Sequence, residues 1–274
     1  MKNRHFIKLA GKTTKAAEEN EEVQMTQIRV KAHLLDKEMQ CSSSRKIRFS
    51  ARRLQDLAER LRTYREQHGP GKPDFQWAEQ IAELYALALK EPGRFEYPWS
   101  PKQRIRISRS QFEVLVKSRR SIRKFSSQDV DEVLILDIVT LASWAPTNCN
   151  QQSLRFIIVK TPEIRNKLVH GGMHGTMSPC VIGVLADMRF YSEGDIECPA
   201  HDAGAAIQTM LLASHFHGLG ACYTSSVACN ASKYRSLLGV HEYEKVMALI
   251  WLGHYEHQPI APPRRNIAEI VRIL

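Results

Sequence analysis

The sequence predicts a body in which helices and strands alternate, of the α+β or α/β class, preceded by a basic helical arm. After about residue 110, three apolar runs of buried-strand length alternate with segments of helical periodicity. The charge is uneven: residues 1–110 carry a net charge of +9 and residues 111–274 a net charge of +1, of the total of +10. A stiff, proline-rich connector at residues 97–101 lies between these regions and predicts a domain boundary.

The arm is predicted to be a flexible tail at residues 1–26 followed by a basic helical extension at residues 27–110. The tail carries an acidic cluster and almost no large apolar side chains, which is typical of an unfolded segment. After a break at Gly69-Pro70-Gly71, Asp74 is predicted to cap a second helix of the extension. The apolar residues at helical spacing are Leu54, Leu57, Ala58 and Leu61 in the first helix, and Trp77, Ile81, Leu84, Tyr85, Ala88 and Leu89 in the second.

The body, residues 111–274, is predicted to begin with a short helix at residues 112–117. A long amphipathic helix is then expected to start near Ser126 and Asp129 and to stop at Pro146. Its expected inner face is Val130, Val133, Leu134, Ile138, Leu141 and Ala142.

The remaining elements of the body are three buried strands and two helices. The strands are predicted at residues 154–159, 180–186 and 246–252. A second long helix is predicted at residues 202–216 and a short terminal helix at residues 267–274. The inward residues of the second long helix are Ala206, Met210, Leu211 and Ala213, and its end is marked by Gly218-Leu219-Gly220.

Composition and cysteine spacing exclude several classes of protein. Hydrophobic residues make up 43% and charged residues 25%, so the chain is not wholly disordered. Its longest uncharged apolar runs fall far short of the roughly 20 residues that cross a bilayer. None of the six cysteines forms a Cys-x-x-Cys pair, which argues against a zinc or dithiol site. With no apolar stretch of signal-peptide length at its basic start, we expect a cytoplasmic protein without a membrane partner.

Three arginines and a serine stand within five residues, at Arg119, Arg120, Ser121 and Arg123. Guanidinium groups so close together repel one another unless an anion lies between them, and their planar fork suits a phosphate. The alternative interpretation of this motif is a solvated basic turn.

Three further segments invite a functional interpretation. Residues 145–152, Ala-Pro-Thr-Asn-Cys-Asn-Gln-Gln, form an amide-rich turn, and amide groups that both donate and accept suit the edge of a heterocycle. Residues 218–226 combine glycines with small hydroxyl residues and permit close approach of a flat ligand. Both segments can equally be ordinary capped loops, and the basic pair Arg264-Arg265 is by itself typical of a surface tail.

Taken in order, the four segments resemble the flavin-dependent nitroreductase family over about residues 111–274. The family opens with Arg-x-Ser-x-Arg/Lys, which residues 119–123 match. It continues with a helix that ends in Ala-Pro-Ser-x-x-Asn-x-Gln-Pro-Trp, which residues 145–154 match in part. Thr147 replaces the serine, and Ser153-Leu154 replace Pro-Trp.

The last two motifs of the family also have counterparts. An aliphatic helix that leads to Gly-Leu-Gly corresponds to residues 202–220, and a closing basic tail corresponds to residues 263–265. The resemblance implies an α+β fold, namely a nitroreductase-like three-layer sandwich with a central mixed sheet flanked by helices, plus the N-terminal helical extension. It also implies a homodimer that binds one FMN in each groove between the subunits.

The resemblance further implies a role for individual residues. The expected ligands of the FMN phosphate and ribityl chain are Arg119, Arg120, Ser121 and Arg123, with Arg264 or Arg265 completing the phosphate site. The residues expected to line the isoalloxazine from the partner subunit are Pro146, Thr147, Asn148 and Asn150. Ser225 and Ser226 stand where backbone N–H groups of the family approach N5 and O4 of the flavin.

The implied activity is an NAD(P)H-dependent flavin oxidoreductase with a ping-pong cycle, in which a small organic acceptor such as a nitro compound or a quinone takes the place of NAD(P)H. The flavin N5 carries the hydride, so no catalytic side chain is expected. Cys149 and Cys222 are interpreted as packing residues, and His170 and His174 as loop residues with no metal site. Alternatives on the same fold are reductive dehalogenation, flavin fragmentation or a flavin-binding protein without turnover.

Two roles are open for the basic arm. Its helices at about residues 45–90 have apolar faces that need a partner surface, so we hypothesise that they pack on the dimer and supply a wall of the flavin site. The competing hypothesis is docking to nucleic acid or an acidic protein. Because its arginines stand beside glutamates, we interpret the basic face as solvated and expect no nucleic-acid partner.

Overall fold

The computed structural model describes residues 21–41, 49–92, 94–168, 178–225 and 231–274. Its helices are α1 Glu21–Gln40, α2 Ala51–His68, α3 Pro73–Lys90, α4 Arg109–Ser118, α5 Glu132–Ser143, α6 Pro162–Leu168, α7 Cys198–Phe216 and α8 Ala231–Leu238. Its strands are β1 Leu154–Val159, β2 Cys180–Asp187, β3 Gly220–Thr224 and β4 Glu244–Gly253. Short 3-10 turns lie at Asn148–Asn150, Met188–Phe190 and Ile267–Glu269.

Helices α1, α2 and α3 form a three-helix unit around an apolar core of their own. Each helix turns one apolar stripe inward, and most arginines of α2 stay exposed on the opposite side. Lys31 of α1 pairs with Asp56 of α2 at 2.5 Å, and Lys72 before α3 pairs with Glu21 of α1 at 2.5 Å. The buried residues are Met25, Ile28, Ala32, Leu35, Met39, Leu57, Leu61, Tyr64, Phe75, Ala78, Ile81, Tyr85 and Ala88.

The four described strands form one antiparallel sheet in the order β1-β2-β4-β3. Strand β2 is buried along its whole length, and its alternate residues face two separate cores. Ile182 packs with residues of α5 and α7 on one face, and Val181 packs with residues of α6 and α8 on the other. A parallel bridge between Ser121 and Ala221 adds a parallel pairing at the β3 edge, which makes the sheet mixed there. The helix–sheet–helix order confirms the predicted three-layer α+β sandwich.

The predicted strands and the second long helix are confirmed. Strand β1 has the predicted bounds, and β2 and β4 extend one or two residues beyond the predictions. Helix α7 starts at Cys198, earlier than predicted, and ends at Phe216 as predicted. Its buried stripe contains every predicted inward residue, Ala206, Met210, Leu211 and Ala213.

The first long helix of the body begins later than predicted. Its N-cap is Asp131, whose carboxylate accepts a hydrogen bond from the backbone N–H of Val133 at 2.9 Å. The start assigned to Ser126 and Asp129 is therefore wrong, and Asp129 instead pairs with Lys160 at 2.8 Å. The sequence offers two start signals close together, because Ser126 has Asp129 three residues later and Asp131 also carries a capping side chain.

The inward face predicted for this helix is correct only in part. Val133 is 70% exposed and Leu141 is also exposed, whereas Ile135 is fully buried in their place. Helix α5 is apolar on nearly every side, so packing on the sheet, rather than the local pattern, decides which residues are buried. The confirmed residues are Val130, Ile138 and Ala142, with Leu134 partly buried.

Predictions at the two ends of the chain also change. Helix α1 already begins at Glu21, and Val23 is buried, so residues 21–26 are helical rather than part of a tail. The predicted terminal helix at residues 267–274 is reduced to one 3-10 turn within a C-terminal segment that is exposed throughout. No described helix combines the length and the apolarity needed to cross a membrane.

Asp74 does not cap α3. The N-cap is Lys72, followed by Pro73 in the first turn, where proline's fixed φ suits a helix and its missing N–H costs no hydrogen bond. Asp74 lies in that first turn and pairs instead with Arg29 of α1 at 2.7 Å. The carboxylate thus joins two helices rather than ending one.

Candidate functional site

The arginine motif forms a turn, residues 119–123, between α4 and the edge of the sheet. Ser108 caps α4 in a capping box with Gln111, and the helix ends at Ser118. The backbone N–H of Ile122 then donates to the carbonyl of Ala221 on β3 at 3.1 Å, and the Ile122 side chain is buried. The turn is therefore fixed against β3 by the buried side chain of Ile122, and its arginines precede and follow that residue in the sequence.

Gly220 permits this close approach of the turn to the sheet. A Cβ added at Gly220 would lie 2.8 Å from Cβ of Ile122 and 2.8 Å from Cδ1 of Tyr255. Gly218 has a φ of +71°, the left-handed conformation that ends α7. The Gly-Leu-Gly segment thus serves the packing of the arginine turn and the end of a helix.

The arginine turn concentrates positive charge. Within the described residues, Arg119, Arg120 and Arg123 form no ion pair with a carboxylate, and Nη1 of Arg119 is buried with no hydrogen-bond partner. Burial lowers the pKa of His215, and the charges of Arg119 and Arg120 lower it further. A buried guanidinium N–H without an acceptor and two repelling arginines fit an anion such as the FMN phosphate.

Cys222 is buried beside this turn. Burial raises the pKa of its thiol, while the charges of Arg123 and Arg119 act in the opposite direction. The net direction is upward, so the thiol stays protonated at neutral pH. This agrees with the prediction of a packing role.

The amide-rich turn, here called the amide loop (residues 147–152), has an unusual backbone. Three of its residues have positive φ without being glycine: Cys149 at 47°, Asn150 at 55° and Gln152 at 53°. Only asparagine and aspartate adopt this region with any frequency, so Cys149 and Gln152 are strained. Thr147 Oγ1 accepts from the backbone N–H of Gln152 at 3.1 Å and closes the loop on itself.

The amide loop and the arginine turn lie at opposite ends of α7. Near the start of the helix, Asp202 accepts a hydrogen bond from the backbone N–H of Asn148 at 2.9 Å. At its end, Nε2 of His215 and Oγ of Ser118 are 2.7 Å apart. At a rise of 1.5 Å per residue, Asp202 and His215 are roughly 20 Å apart. One chain therefore holds the two halves of the predicted flavin site far from each other.

Helix α1 packs against the outside of the amide loop. Glu22 of α1 forms ion pairs with Arg155 of β1 and with Arg189, the latter at 3.6 Å. Arg189 is itself held by the carboxylate of Asp187, with its Nη2 at 2.6 Å. Within the described chain, α1 thus contacts the body at the amide loop. The apolar faces of the helices at residues 45–90 pack on α1 and on one another, and their packing on a dimer stays a prediction.

A cavity of about 740 Å³ lies between the extension and the body. Its walls come from α1, the first turn of α3, α5, β1 and the amide loop, and include Met25, Thr140, Thr147, Gln152 and Phe156. The charges at its rim are paired with one another, as in Lys72–Glu21 and Arg29–Asp74. Sequence reasoning missed this cavity because its walls come from segments far apart in the chain.

The other predicted residues lie on exposed segments or outside the described residues. Ser225 is exposed directly after β3, and Ser226 falls outside the described residues. Arg264 and Arg265 lie on the exposed C-terminal segment, where Arg265 pairs with Glu269 at 3.1 Å. His170 and His174 also lie outside the described residues, and the described part of the chain contains no group of three potential metal ligands.

Comparison with known proteins agrees with these observations. The model of the nitroreductase family matches residues 116–170 and 177–254. A protein of Methanothermobacter thermautotrophicus named as an NADH dehydrogenase/NAD(P)H nitroreductase is 30% identical over 157 residues, which cover 55% of this chain and 81% of the relative. The chain belongs to the nitroreductase family. It is therefore an oxidoreductase of the NAD(P)H-dependent flavin class, as the motifs predict.

Two further proteins are similar to parts of this chain. A nitroreductase of Desulfovibrio desulfuricans, crystallised in complex with FMN, has a TM-score of 0.52 and 27% identity, and the match covers 57% of this chain and 92% of that one. Iodotyrosine deiodinase 1 of Rattus norvegicus is 31% identical over 74 residues, 27% of this chain and 26% of the relative. The family model begins at residue 116, so α1, α2 and α3 lie outside it.

Proposed function

We propose that the protein is a homodimeric, FMN-dependent oxidoreductase that transfers hydride from NAD(P)H to a small organic acceptor, such as a nitro compound or a quinone, in a ping-pong cycle. The observation that carries this proposal is the arginine turn, where Nη1 of Arg119 is buried without an acceptor. A phosphate oxygen would supply that acceptor and would relieve the repulsion between the neighbouring guanidinium groups. A merely solvated turn would leave the buried N–H unexplained.

In this proposal the FMN supplies the hydride chemistry, and the chain binds and orients it. The phosphate and ribityl ligands are Arg119, Arg120, Ser121 and Arg123, with Arg264 or Arg265 reaching the phosphate from the exposed C-terminal segment. The ring is lined by Pro146, Thr147, Asn148 and Asn150 of the second subunit, and backbone N–H groups at Ser225 and Ser226 face its edge. Donors at that edge stabilise negative charge on the reduced ring, so no nucleophilic side chain is needed.

Two observations support the homodimer. The amide loop and the arginine turn of one chain are separated by the length of α7, so a second copy is needed to place a loop beside each turn. The described chain also exposes large apolar side chains on α4, on α5 and along the C-terminal segment, a pattern that marks an interface. These residues are Phe112, Val114, Val133, Leu136, Trp144, Ile260, Ile267, Ile273 and Leu274.

The proposal is tested with Arg119→Ala. Loss of charge-assisted hydrogen bonds of about 1.5–3 kcal/mol should weaken FMN binding roughly 10- to 100-fold, measured by quenching of flavin fluorescence in the apoprotein. The matched control is Arg109→Ala, because Arg109 is 90% exposed and pairs only weakly with Glu113 at 3.8 Å. A colourless wild-type protein that binds no added FMN would refute the proposal, and so would equal affinity in both variants.

A second candidate is reductive dehalogenation of an aromatic substrate. The local similarity to iodotyrosine deiodinase 1 favours it, although the match covers about a quarter of each protein. The two candidates differ in the acceptor rather than in the flavin site. The reduced flavoprotein is mixed in parallel with a nitroarene, a quinone or a halogenated phenol, and its reoxidation is followed at the visible absorption maximum of the flavin. The acceptor that reoxidises the flavin fastest distinguishes the two candidates.

A further inference from the structure

A chain of buried polar groups lies behind the amide loop. Ser153 is fully buried, Tyr191 is 2% exposed and Asp202 is 5% exposed. The hydroxyls of Ser153 and Tyr191 are hydrogen-bonded, and the Tyr191 hydroxyl donates to Oδ2 of Asp202 at 2.8 Å. The second oxygen, Oδ1, accepts the backbone N–H of Asn148 at 2.9 Å. The Asp202 carboxylate thus joins α7 to the loop.

The amide loop needs such support. A non-glycine residue at positive φ costs on the order of 1–3 kcal/mol, and such strain persists only when the surroundings impose it. Three such residues follow Asn148 within four positions. The loop's own hydrogen bonds, such as Asn150 N–H to the Thr147 carbonyl at 3.1 Å, do not connect it to the core. The bond to Asp202 does, across 54 positions of the chain.

The cost of burying Asp202 indicates that this carboxylate is more than a packing residue. Burial raises its pKa, and the hydrogen bonds from Tyr191 and Asn148 oppose that rise. A buried acidic group is expensive unless its oxygens are satisfied, and here each oxygen has one donor. Replacing the carboxylate by an apolar group would relieve the burial cost but would release the N–H of Asn148.

We propose that Asp202, held by Tyr191, is a positioning residue that keeps the amide loop in the conformation that contacts the flavin. The part of this inference that concerns FMN rests on the proposed function. The part that concerns the loop does not, because it follows from the hydrogen bonds and the positive φ angles alone. Asp202 is buried behind the loop and acts through its hydrogen bond with the backbone N–H of Asn148.

The test compares Asp202→Ala, Asp202→Asn and Tyr191→Phe. The first readout is amide hydrogen exchange of a peptide covering residues 147–152, which needs no cofactor. Asp202→Ala should increase exchange there at least tenfold, and Tyr191→Phe should give a smaller increase. Asparagine keeps an acceptor for the Asn148 N–H, so Asp202→Asn should restore most of the protection. The matched control is Ser214→Ala, a buried residue of the same helix whose hydroxyl donates to the Met210 carbonyl at 2.7 Å and, among the described residues, to no other element.

The second readout is FMN affinity, measured by fluorescence quenching. It should fall about tenfold in Asp202→Ala and stay near wild type in Asp202→Asn and Ser214→Ala. Unchanged exchange at residues 147–152 in Asp202→Ala, with β2 and β4 still protected, would overturn the proposal. If Asp202→Ala does not fold, unchanged exchange in Tyr191→Phe overturns it. If the wild type binds no FMN, the proposed function fails while the exchange data still decide the role of Asp202.

Discussion

The three-helix extension (α1, α2 and α3) and the arginine turn of the body differ in how their charges are paired. In the extension, charged groups that join the helices have partners of opposite charge, as in Lys31–Asp56, Lys72–Glu21 and Arg29–Asp74, although Nε of Arg29 is buried without a hydrogen-bond partner. In the described part of the body, Arg119, Arg120 and Arg123 pair with no carboxylate, and the amide loop holds strained backbone. Strained backbone and unpaired polar groups concentrate at functional sites. The contrast therefore supports the proposal that the ligand site lies in the body.

The largest expected effect concerns the division of the flavin site between two chains. In a mixed dimer of an Arg119→Ala chain and an Asn150→Asp chain, one site receives both defects and the other receives none. Half of the sites should therefore have wild-type FMN affinity. That affinity should be about 10- to 100-fold higher than the affinity of a homodimer of either variant. Co-expression with two affinity tags and titration with FMN measures it. A site built within one chain would leave every site defective.

The next effect tests whether the extension is a separate unit. Phe75 is fully buried in the core of the three helices, and Phe75→Ala should cost about 3–5 kcal/mol of its stability. Hydrogen exchange of α2 and α3 should rise to that of an unfolded segment while β2 and β4 remain protected. Leu87→Ala, at a position of α3 that is 56% exposed, is the control and should change little. Loss of protection throughout the sheet would show that the two regions unfold together.

A smaller effect is expected at the contact between the two regions. Glu22→Gln removes the charge that pairs with Arg155 and Arg189, and partly exposed pairs of this kind, which solvent still screens at the carboxylate, contribute about 1 kcal/mol. Exchange of the first turns of α1 and of the amide loop should increase severalfold together. Glu66→Gln, which breaks the exposed Arg62–Glu66 pair within α2, should leave the loop unchanged. Unchanged hydrogen exchange of the amide loop in Glu22→Gln would show that this contact with the extension does not stabilise the loop.

The smallest effect is a dependence of the extension on pH. The ammonium of Lys72 and the hydroxyl of Tyr64 lower the pKa of Glu21 below its ordinary 4.5, and Lys31 lowers that of Asp56 below 3.8. A carboxyl with a lowered pKa stabilises the fold fully above its unfolded pKa, and this contribution is lost as the pH falls through the folded value. The amide NMR signals of α1–α3 should therefore broaden below about pH 4.5, before those of the sheet.

Lys72→Met provides the control for the pH experiment. It removes the main cause of the lowered pKa of Glu21, so the acid sensitivity of the contact between α1 and α3 should diminish. The same pH dependence in Lys72→Met and in the wild type would assign the effect to other carboxylates.

Much of the fold is local in origin and can be predicted from the sequence. Apolar runs of strand length predicted β1, β2 and β4, and 3.6-residue spacing predicted the buried stripe of α7. The arginine motif could be recognised because its residues are adjacent in the sequence. The inward face of α5 could not, because a helix that is apolar on nearly every side carries no local signal for its orientation.

The sequence by itself determined three of the four described strands, the buried stripe of α7 and the arginine motif, since each depends on residues close together in the chain. It also determined the family resemblance, through the order of four short motifs. Only the tertiary structure decided that Asp202 bonds to the amide loop, that α1 contacts that loop, and that α7 separates the two halves of the proposed flavin site. These features join residues far apart in the chain. Their positions depend on how the helices pack against the sheet, which no short stretch of sequence encodes.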